Sequence, residues 1–287
     1  MDSVYDLRPS PIAGQWYPAD PHRLASSVDG YLNAASPLEL EGELVGIMTP
    51  HAGHRYSGPV AGYAFATLRH LQPELVAVLS PMHYSTSYPL LTTAHQAYST
   101  PLGPIPVDNP AITALHGCLQ RELGFGLTPI KSDPEHSLEI ELPFLQRALH
   151  NEFRLLPVMV RDVSLRVTRA LGECLARVLR GRKAVLVAST DLSHFYPQQI
   201  AETLDAEVLR RVAALDPEGV LQAEEEGKGF ACGRGALAAV LWAVKELGAN
   251  QGRVLHYATS GNVTGDFTQV VGYAAAVFIK KEGKDPA

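Results

Sequence analysis

Three histidines of the sequence, His51, His83 and His194, each follow an apolar run with the composition of a buried strand. The runs are residues 44–48, 75–79 and 184–188. In an open α/β sheet, ligands bind in the crevice at the carboxyl ends of the strands. Histidines that follow three such strands are therefore expected to converge on one site. Imidazole is the commonest metal ligand and the usual acid–base group near neutral pH, so the pattern favours a metal-assisted or acid–base centre.

His51 lies among small residues, in Pro50-His51-Ala52-Gly53, which let the backbone approach a ligand closely. Ser57 is expected to cap a helix over residues 57–71, whose positive N-terminal end would favour an anionic group beside His51. A histidine that only makes a loop hydrogen bond is the alternative, and the local setting favours the functional interpretation. His54 is expected to be structural or peripheral, because Gly and Pro near it argue against a helix there.

The third strand leads into Ser189-Thr190-Asp191-Leu192-Ser193-His194. A carboxylate that accepts from one imidazole nitrogen raises the basicity of the other, so Asp191 and His194 are candidates for an acid–base pair. Capping of a short helix explains Asp191 equally well. His136 joins the candidates because helix capping accounts for its neighbour Ser137 and leaves the imidazole unexplained.

Cys232 is flanked by small residues and precedes a predicted helix that carries Arg234. A helix N-terminus and an arginine both lower a thiol pKa, so Cys232 is a candidate metal ligand or nucleophile. Cys118 and Cys174 are expected to be small core residues of amphipathic helices. Three cysteines make no disulfide framework and fit a reducing compartment.

Strand and helix patterns alternate along the chain, which predicts one α/β domain over residues 1–287 with a mostly parallel sheet between helical layers. Asp20 and Pro21 form a helix start signal. The predicted helices span residues 21–32, 57–71, 109–119, 137–149, 165–179, 200–215 and 233–247. The predicted strands span residues 44–48, 75–79, 153–160, 184–188, 254–258 and 270–279, and residues 84–107 are expected to form a hairpin.

The composition is that of a chain with a large core, since 46% of the residues are hydrophobic and 19% are charged. The formal net charge of −6 offers no basic surface for nucleic acid. No apolar stretch reaches the roughly 20 residues that a membrane span needs, and the N-terminus lacks a signal-peptide core. The sequence therefore predicts a soluble cytoplasmic protein that binds neither nucleic acid nor a membrane.

Motifs spread over the whole chain resemble those of the Memo family, whose bacterial and archaeal members are labelled AmmeMemoRadiSam system protein B. The matching segments are residues 13–20, 50–53, 56–58, 80–83, 100–103, 135–139, 189–194, 232–233 and 260–266. Because so many segments match and occur in the same order along the chain, the resemblance is specific. It implies a fold similar to class III extradiol dioxygenases, which bind Fe(II) through two histidines and a glutamate and cleave catechol rings with O₂.

The resemblance also implies roles for individual residues. One metal ion would be held by His51, His83 and Cys232, with the catalytic groups His194, Asp191 and His136 beside it. A thiolate in place of the dioxygenase carboxylate is a softer donor, so Fe(II) or copper is expected and zinc stays open. Met82 and Tyr84 depart from the family pattern and predict a different pocket mouth. The fold alone does not carry over dioxygenase activity.

The sequence leaves it open whether the chain is an enzyme. One function is a metal-dependent dioxygenase or oxidoreductase that acts on a small molecule, with His194 moving the proton. The alternative is a non-catalytic module that binds a peptide or partner protein in the same cleft, with residues 84–100 as part of the surface. Thiol chemistry at Cys232 is a third alternative. The family label also suggests a functional link to radical-SAM proteins.

Overall fold

The computed structural model describes residues 6–35 and 40–282. The strands are β1 (Leu7–Arg8), β2 (Glu43–Thr49), β3 (Leu75–Pro81), β4 (Leu90–Thr93), β5 (Ala97–Thr100), β6 (Gly103–Pro106), β7 (Thr128–Ile130), β8 (Arg154–Val160), β9 (Ala184–Ser189), β10 (His194–Tyr196), β11 (Gln251–Thr259) and β12 (Val270–Lys280). The α-helices are α1 (Pro21–Ala34), α2 (His54–Ala66), α3 (Asn109–Leu123), α4 (Leu142–Ala148), α5 (Leu165–Leu179), α6 (Gln198–Ala213), α7 (Pro217–Glu225), α8 (Arg234–Glu246) and α9 (Gly261–Thr264).

The main sheet is mixed. Its strand order is β10-β12-β2-β9-β3-β8-β4-β7, and β11 also pairs with β12. The four central strands β2, β9, β3 and β8 are parallel, whereas β12 and β4 run antiparallel to their neighbours β2 and β8. The expectation of a mostly parallel sheet therefore holds for the centre only. β11 also runs antiparallel to β12, because the connection between them, residues 260–269, is shorter than the dozen or more residues that a parallel crossover needs.

The sheet is buried on both faces, which makes the three-layer α/β fold that the sequence predicts. Side chains alternate along β3, so that Leu75, Ala77 and Leu79 join one core and Val76 and Val78 join the other. The first core is closed by α3, α5, α6, α7 and α8, and the second by α1, α2 and α4. β1, β5 and β6 form a separate small sheet.

Local signals predict some helices well and others poorly. The Asp20 side chain accepts the N–H of Arg23 and caps α1, as expected, and α5 has the predicted bounds. The Ser57 prediction is wrong, because α2 begins at His54 and the Ser57 hydroxyl instead donates to the Ala52 carbonyl. That start brings the helix N-terminus closer to His51 than the sequence suggested.

The predicted helix over residues 137–149 is also wrong at its start. A 3₁₀ turn covers Glu139–Glu141, and α4 begins only at Leu142. Pro143 has no N–H and fits only the first turn of an α-helix, so the regular helix cannot begin earlier. Ser137 does not cap it, since its hydroxyl donates to the Pro81 carbonyl.

Cys118 on α3 and Cys174 on α5 form a disulfide, with their Cα atoms 5.7 Å apart. Both are buried in the core as predicted, but the expectation that no disulfide would form is wrong. The sequence could not indicate the pair, because the two helices meet only through the tertiary fold. Within the described part of the chain, none of the helices combines the length and apolar character that crossing a bilayer requires.

Candidate metal centre

The site lies at the carboxyl ends of the parallel strands. His51 follows β2, His83 follows β3, and Ser189 is the last residue of β9. The segment between β7 and the 3₁₀ turn reaches the same edge and adds His136. This is where ligands bind in open α/β sheets, and it is where the sequence placed the first two histidines.

Three imidazoles converge here. His51, His83 and His136 each offer one ring nitrogen, and these atoms all lie within 4.8 Å of one another. The ring centroid of His51 lies 5.3 Å from that of His83 and 5.5 Å from that of His136. His83 and His136 are stacked with their centroids 4.9 Å apart. His136, predicted as a catalytic wall residue, thus takes part in the group that could hold an ion.

The Nδ1 atom of each of these histidines has a protein partner. His51 Nδ1 lies 2.9 Å from the Ser189 hydroxyl oxygen. His83 Nδ1 and His136 Nδ1 lie 2.9 Å and 3.3 Å from the same Glu135 oxygen. The contacts of His51 and His83 are hydrogen bonds, and partners of this kind fix the tautomer and orientation of metal-binding imidazoles. Three imidazole nitrogens that converge in this way, with each Nδ1 beside a protein group, fit a metal ion.

Glu135 is the residue that ties two of the imidazoles together, and the sequence reasoning missed its role. It is 1% exposed and accepts the backbone N–H groups of His83, His136 and Ser137. Burial alone would raise the pKa of this carboxyl, but the hydrogen bond and charge of His83, with the N–H of Ser137, hold the pKa below its usual range. The carboxylate is therefore ionised beside the histidine pair.

Two of the imidazoles, those of His51 and His136, are held in the form that binds metals. Burial and the neighbouring His136 and His83 lower the pKa of His51 well below its usual value. Burial lowers the pKa of His136 to about 4, against the opposing charge of Glu135. Both rings are consequently neutral near pH 7, and neutral imidazole is the ligating species.

Cys232 lies beside this group, with its sulfur 3.1 Å from His51 Nε2. Its backbone N–H donates to the Asp191 carbonyl, and Gly233 donates to the Thr190 hydroxyl. A Cβ at Gly233 would collide with the Ser189 carbonyl, so glycine is required where this segment meets β9. The sulfur is outside the set whose donor atoms all lie within 4.8 Å of one another.

The expected lowering of the Cys232 pKa is wrong for this structure. Burial and the nearby Asp191 raise the pKa of the thiol well above its usual value. Arg234 does not offset this, because its guanidinium pairs with Glu224 at 2.6 Å. Without an ion beside it, Cys232 is a neutral thiol, which argues against independent thiol chemistry.

Asp191 and His194 do not form the expected hydrogen-bonded pair. Asp191 Oδ1 accepts the His51 backbone N–H at 2.7 Å, and no hydrogen bond between described residues joins it to His194. It also caps no helix, because Leu192 and Ser193 continue as an extended segment that bonds to Gly272. Burial raises the pKa of Asp191 to about 7, against the opposing N–H bonds from residues 51 and 52.

His194 lies near His83 and carries an unpartnered ring nitrogen. Its ring lies between Phe195 and Phe230, with centroid distances of 5.7 Å and 5.3 Å. Its Nε2 atom is buried and has no hydrogen-bond partner among the described residues. Burial and the nearby His83 lower its pKa, so the ring is neutral at pH 7. A buried ring nitrogen without a partner is rare.

The fold and the site together define an α/β protein with a histidine cluster suited to a metal ion. The family described as "Memo-like protein" matches residues 8–277 of the sequence. The chain belongs to this Memo family.

Relatives of similar length support the assignment. A MEMO1 family protein of Methanopyrus kandleri is 38% identical over 278 residues, which cover 93% of this chain and 97% of the relative. A MEMO1 family protein of Nitrosopumilus maritimus is 32% identical over 277 residues, covering 95% and 100%. Among solved structures, an uncharacterized protein of Escherichia coli K12 covers 82% of this chain and 100% of its own, with 14% identity and a TM-score of 0.47.

Proposed function

We propose that this Memo-family chain is a metal-binding protein that acts on a small molecule at the histidine cluster. The observation that carries the proposal is the convergence of His51, His83 and His136, whose Nδ1 atoms lie beside Ser189 and Glu135. Imidazoles whose rings are oriented in this way form a preorganised donor set. Cys232 is proposed as an additional ligand from outside this set, because its sulfur lies 3.1 Å from His51 Nε2.

The donor set favours particular metals. Imidazole suits iron, copper and zinc alike, and a neighbouring sulfur shifts the preference toward the softer ions. Fe(II) or copper is the proposed occupant, with zinc as the alternative. A bound redox ion would supply electron transfer and Lewis acidity, and the proposed class of reaction is oxidation of the small molecule with O₂ as the electron acceptor.

The chain's own residues supply the proton chemistry. His194 is neutral near pH 7 and its Nε2 is unengaged, so it can accept a proton from a bound hydroxyl and return it later. The rings of Phe195 and Phe230 lie next to the His194 ring. Asp191 acts on a different part of the site, since its carboxylate holds the backbone of His51.

The experiment is metal analysis of protein that has been purified without air. We expect near-stoichiometric metal in the wild-type chain and its loss in His83→Ala. The matched control is His116→Ala, because His116 bonds only to the Leu127 carbonyl outside the site. Metal content that survives both His83→Ala and a combined His51→Ala/Cys232→Ser variant would refute the proposal.

A second function is a module that binds a peptide in the same cleft. It is favoured by exposed tyrosines in the segment that follows His83, since Tyr84 and Tyr88 are 46% and 49% exposed. Tyrosines of this kind are common in recognition surfaces. Oxygen uptake with a panel of catechols after Fe(II) loading distinguishes the two functions: turnover supports the enzyme, whereas peptide capture without turnover supports the module.

A further inference from the structure

A buried arginine near the N-terminus lies outside the histidine cluster but contacts the segment that carries two of its residues. Arg8 is 1% exposed. Its guanidinium donates to both carboxylate oxygens of Asp133, at 2.9 Å and 2.8 Å, and to Glu139 Oε2 at 2.6 Å. It also donates to the Glu135 carbonyl at 2.6 Å. The partners of Arg8 therefore lie on both sides of His136 in the sequence.

Other residues of the same N-terminal arm, which we define as residues 6–20, reach the same segment. The hydroxyls of Ser10 and Tyr17 both donate to Glu139 Oε1, at 2.6 Å and 2.7 Å. The ring of Trp16 packs on His136 with centroids 4.1 Å apart. The arm thus holds the backbone around His136 and one face of its ring.

The burial of these charges calls for a reason beyond stability. Replacing a buried ion network by apolar side chains is often neutral or even stabilising, because desolvation of the charges is costly. What such a network supplies is a defined geometry, since the planar guanidinium fork fixes each partner in direction. Here the geometry that it fixes is that of Glu135 and His136.

We propose that Arg8 is a positioning residue for the metal centre, which sets Glu135 and His136 through Asp133 and Glu139. The inference rests on the proposed function and extends the site to the N-terminal arm. The arm then contributes to the metal centre, so removing or loosening it would weaken metal binding even though every proposed ligand is still present in the chain.

The test compares Arg8→Lys with Arg211→Lys in the full chain. Lysine keeps the charge but cannot make the fork. Arg211 is a matched control, because it is 6% exposed and bonds to Glu207, Glu226 and the Gly219 carbonyl away from the cluster. We expect Arg8→Lys to weaken Co(II) binding by about 10- to 100-fold and to alter the visible Co(II) spectrum. Arg211→Lys should leave both at the wild-type values.

A metal-free readout separates this inference from the proposed function. In the apo protein, NMR of the ring resonances should show shifts for His136 and Trp16 in Arg8→Lys, and none in Arg211→Lys. If the wild-type chain fails to bind Co(II), the proposed metal site is refuted. The NMR shifts of His136 and Trp16 in the apo variant then decide whether Arg8 positions these residues. Unchanged ring resonances in Arg8→Lys would overturn the positioning role. If that variant does not fold, Tyr17→Phe removes one donor to Glu139, keeps every charge and is judged by the same results.

Discussion

The disulfide between Cys118 and Cys174 should contribute measurably to the free energy of unfolding. It closes a loop with a sequence separation of 56 residues. Loss of loop entropy from the unfolded chain then corresponds to about 4 kcal/mol at 25 °C. For a chain of 287 residues the unfolding entropy is about 0.6 kcal/mol/K, so reduction should lower the melting temperature by about 7 °C.

The assay compares metal-free protein in its oxidised form with protein that has been unfolded, reduced and refolded with a reductant. Cys118 and Cys174 are 3% and 0% exposed, so reduction requires unfolding. Thiol titration in denaturant should find one free thiol, that of Cys232, before reduction and three afterwards. A Cys118→Ala/Cys174→Ala variant is the control, because its melting temperature should not respond to reductant. Three thiols before reduction, or equal melting temperatures for both forms, would refute the reasoning.

The remaining predictions concern the site and its surroundings. Ser189→Ala removes the Nδ1 partner of His51 and should weaken Co(II) affinity by about 10- to 100-fold in a direct titration; unchanged affinity would show that the contact is dispensable. Glu135→Gln should weaken it further, because the amide lacks the carboxylate charge and keeps only one of the two oxygens that accept from His83, His136 and Ser137. Burial lowers the pKa of His54 to about 4, so its contribution to stability is present above pH 6.5 and is lost as the pH falls toward 4. That loss is about 3 kcal/mol, and urea unfolding of the apo protein between pH 4 and 7 should show a shallower pH dependence for His54→Gln; equal slopes would contradict this.

Much of the fold could be predicted because its signals are local. The apolar runs before His51 and His83 become β2 and β3, and the cap at Asp20 starts α1. Placing both histidines at one edge needs only the rule for parallel strands. The antiparallel flanks were missed because an apolar run has the same composition in either direction.

The parts of the site that were missed depend on contacts between distant residues. Glu135 is one carboxylate among many until the fold brings it to His83, 52 positions earlier in the chain. The pair of Asp191 and His194 was suggested by their spacing, but the chain between them stays extended along β12 and separates the two side chains. Spacing predicts proximity only where the local conformation is known.

The long sequence separations within the site determine when the proposed metal site can form during synthesis of the chain. Arg8 meets Asp133 across 125 positions, and His51 meets Cys232 across 181. A ribosome has therefore released His51 and His83 well before the groups that orient them exist. A growing chain at that stage offers only loose imidazoles, which discriminate poorly between ions. The proposed donor set is therefore complete only after Cys232 has been translated.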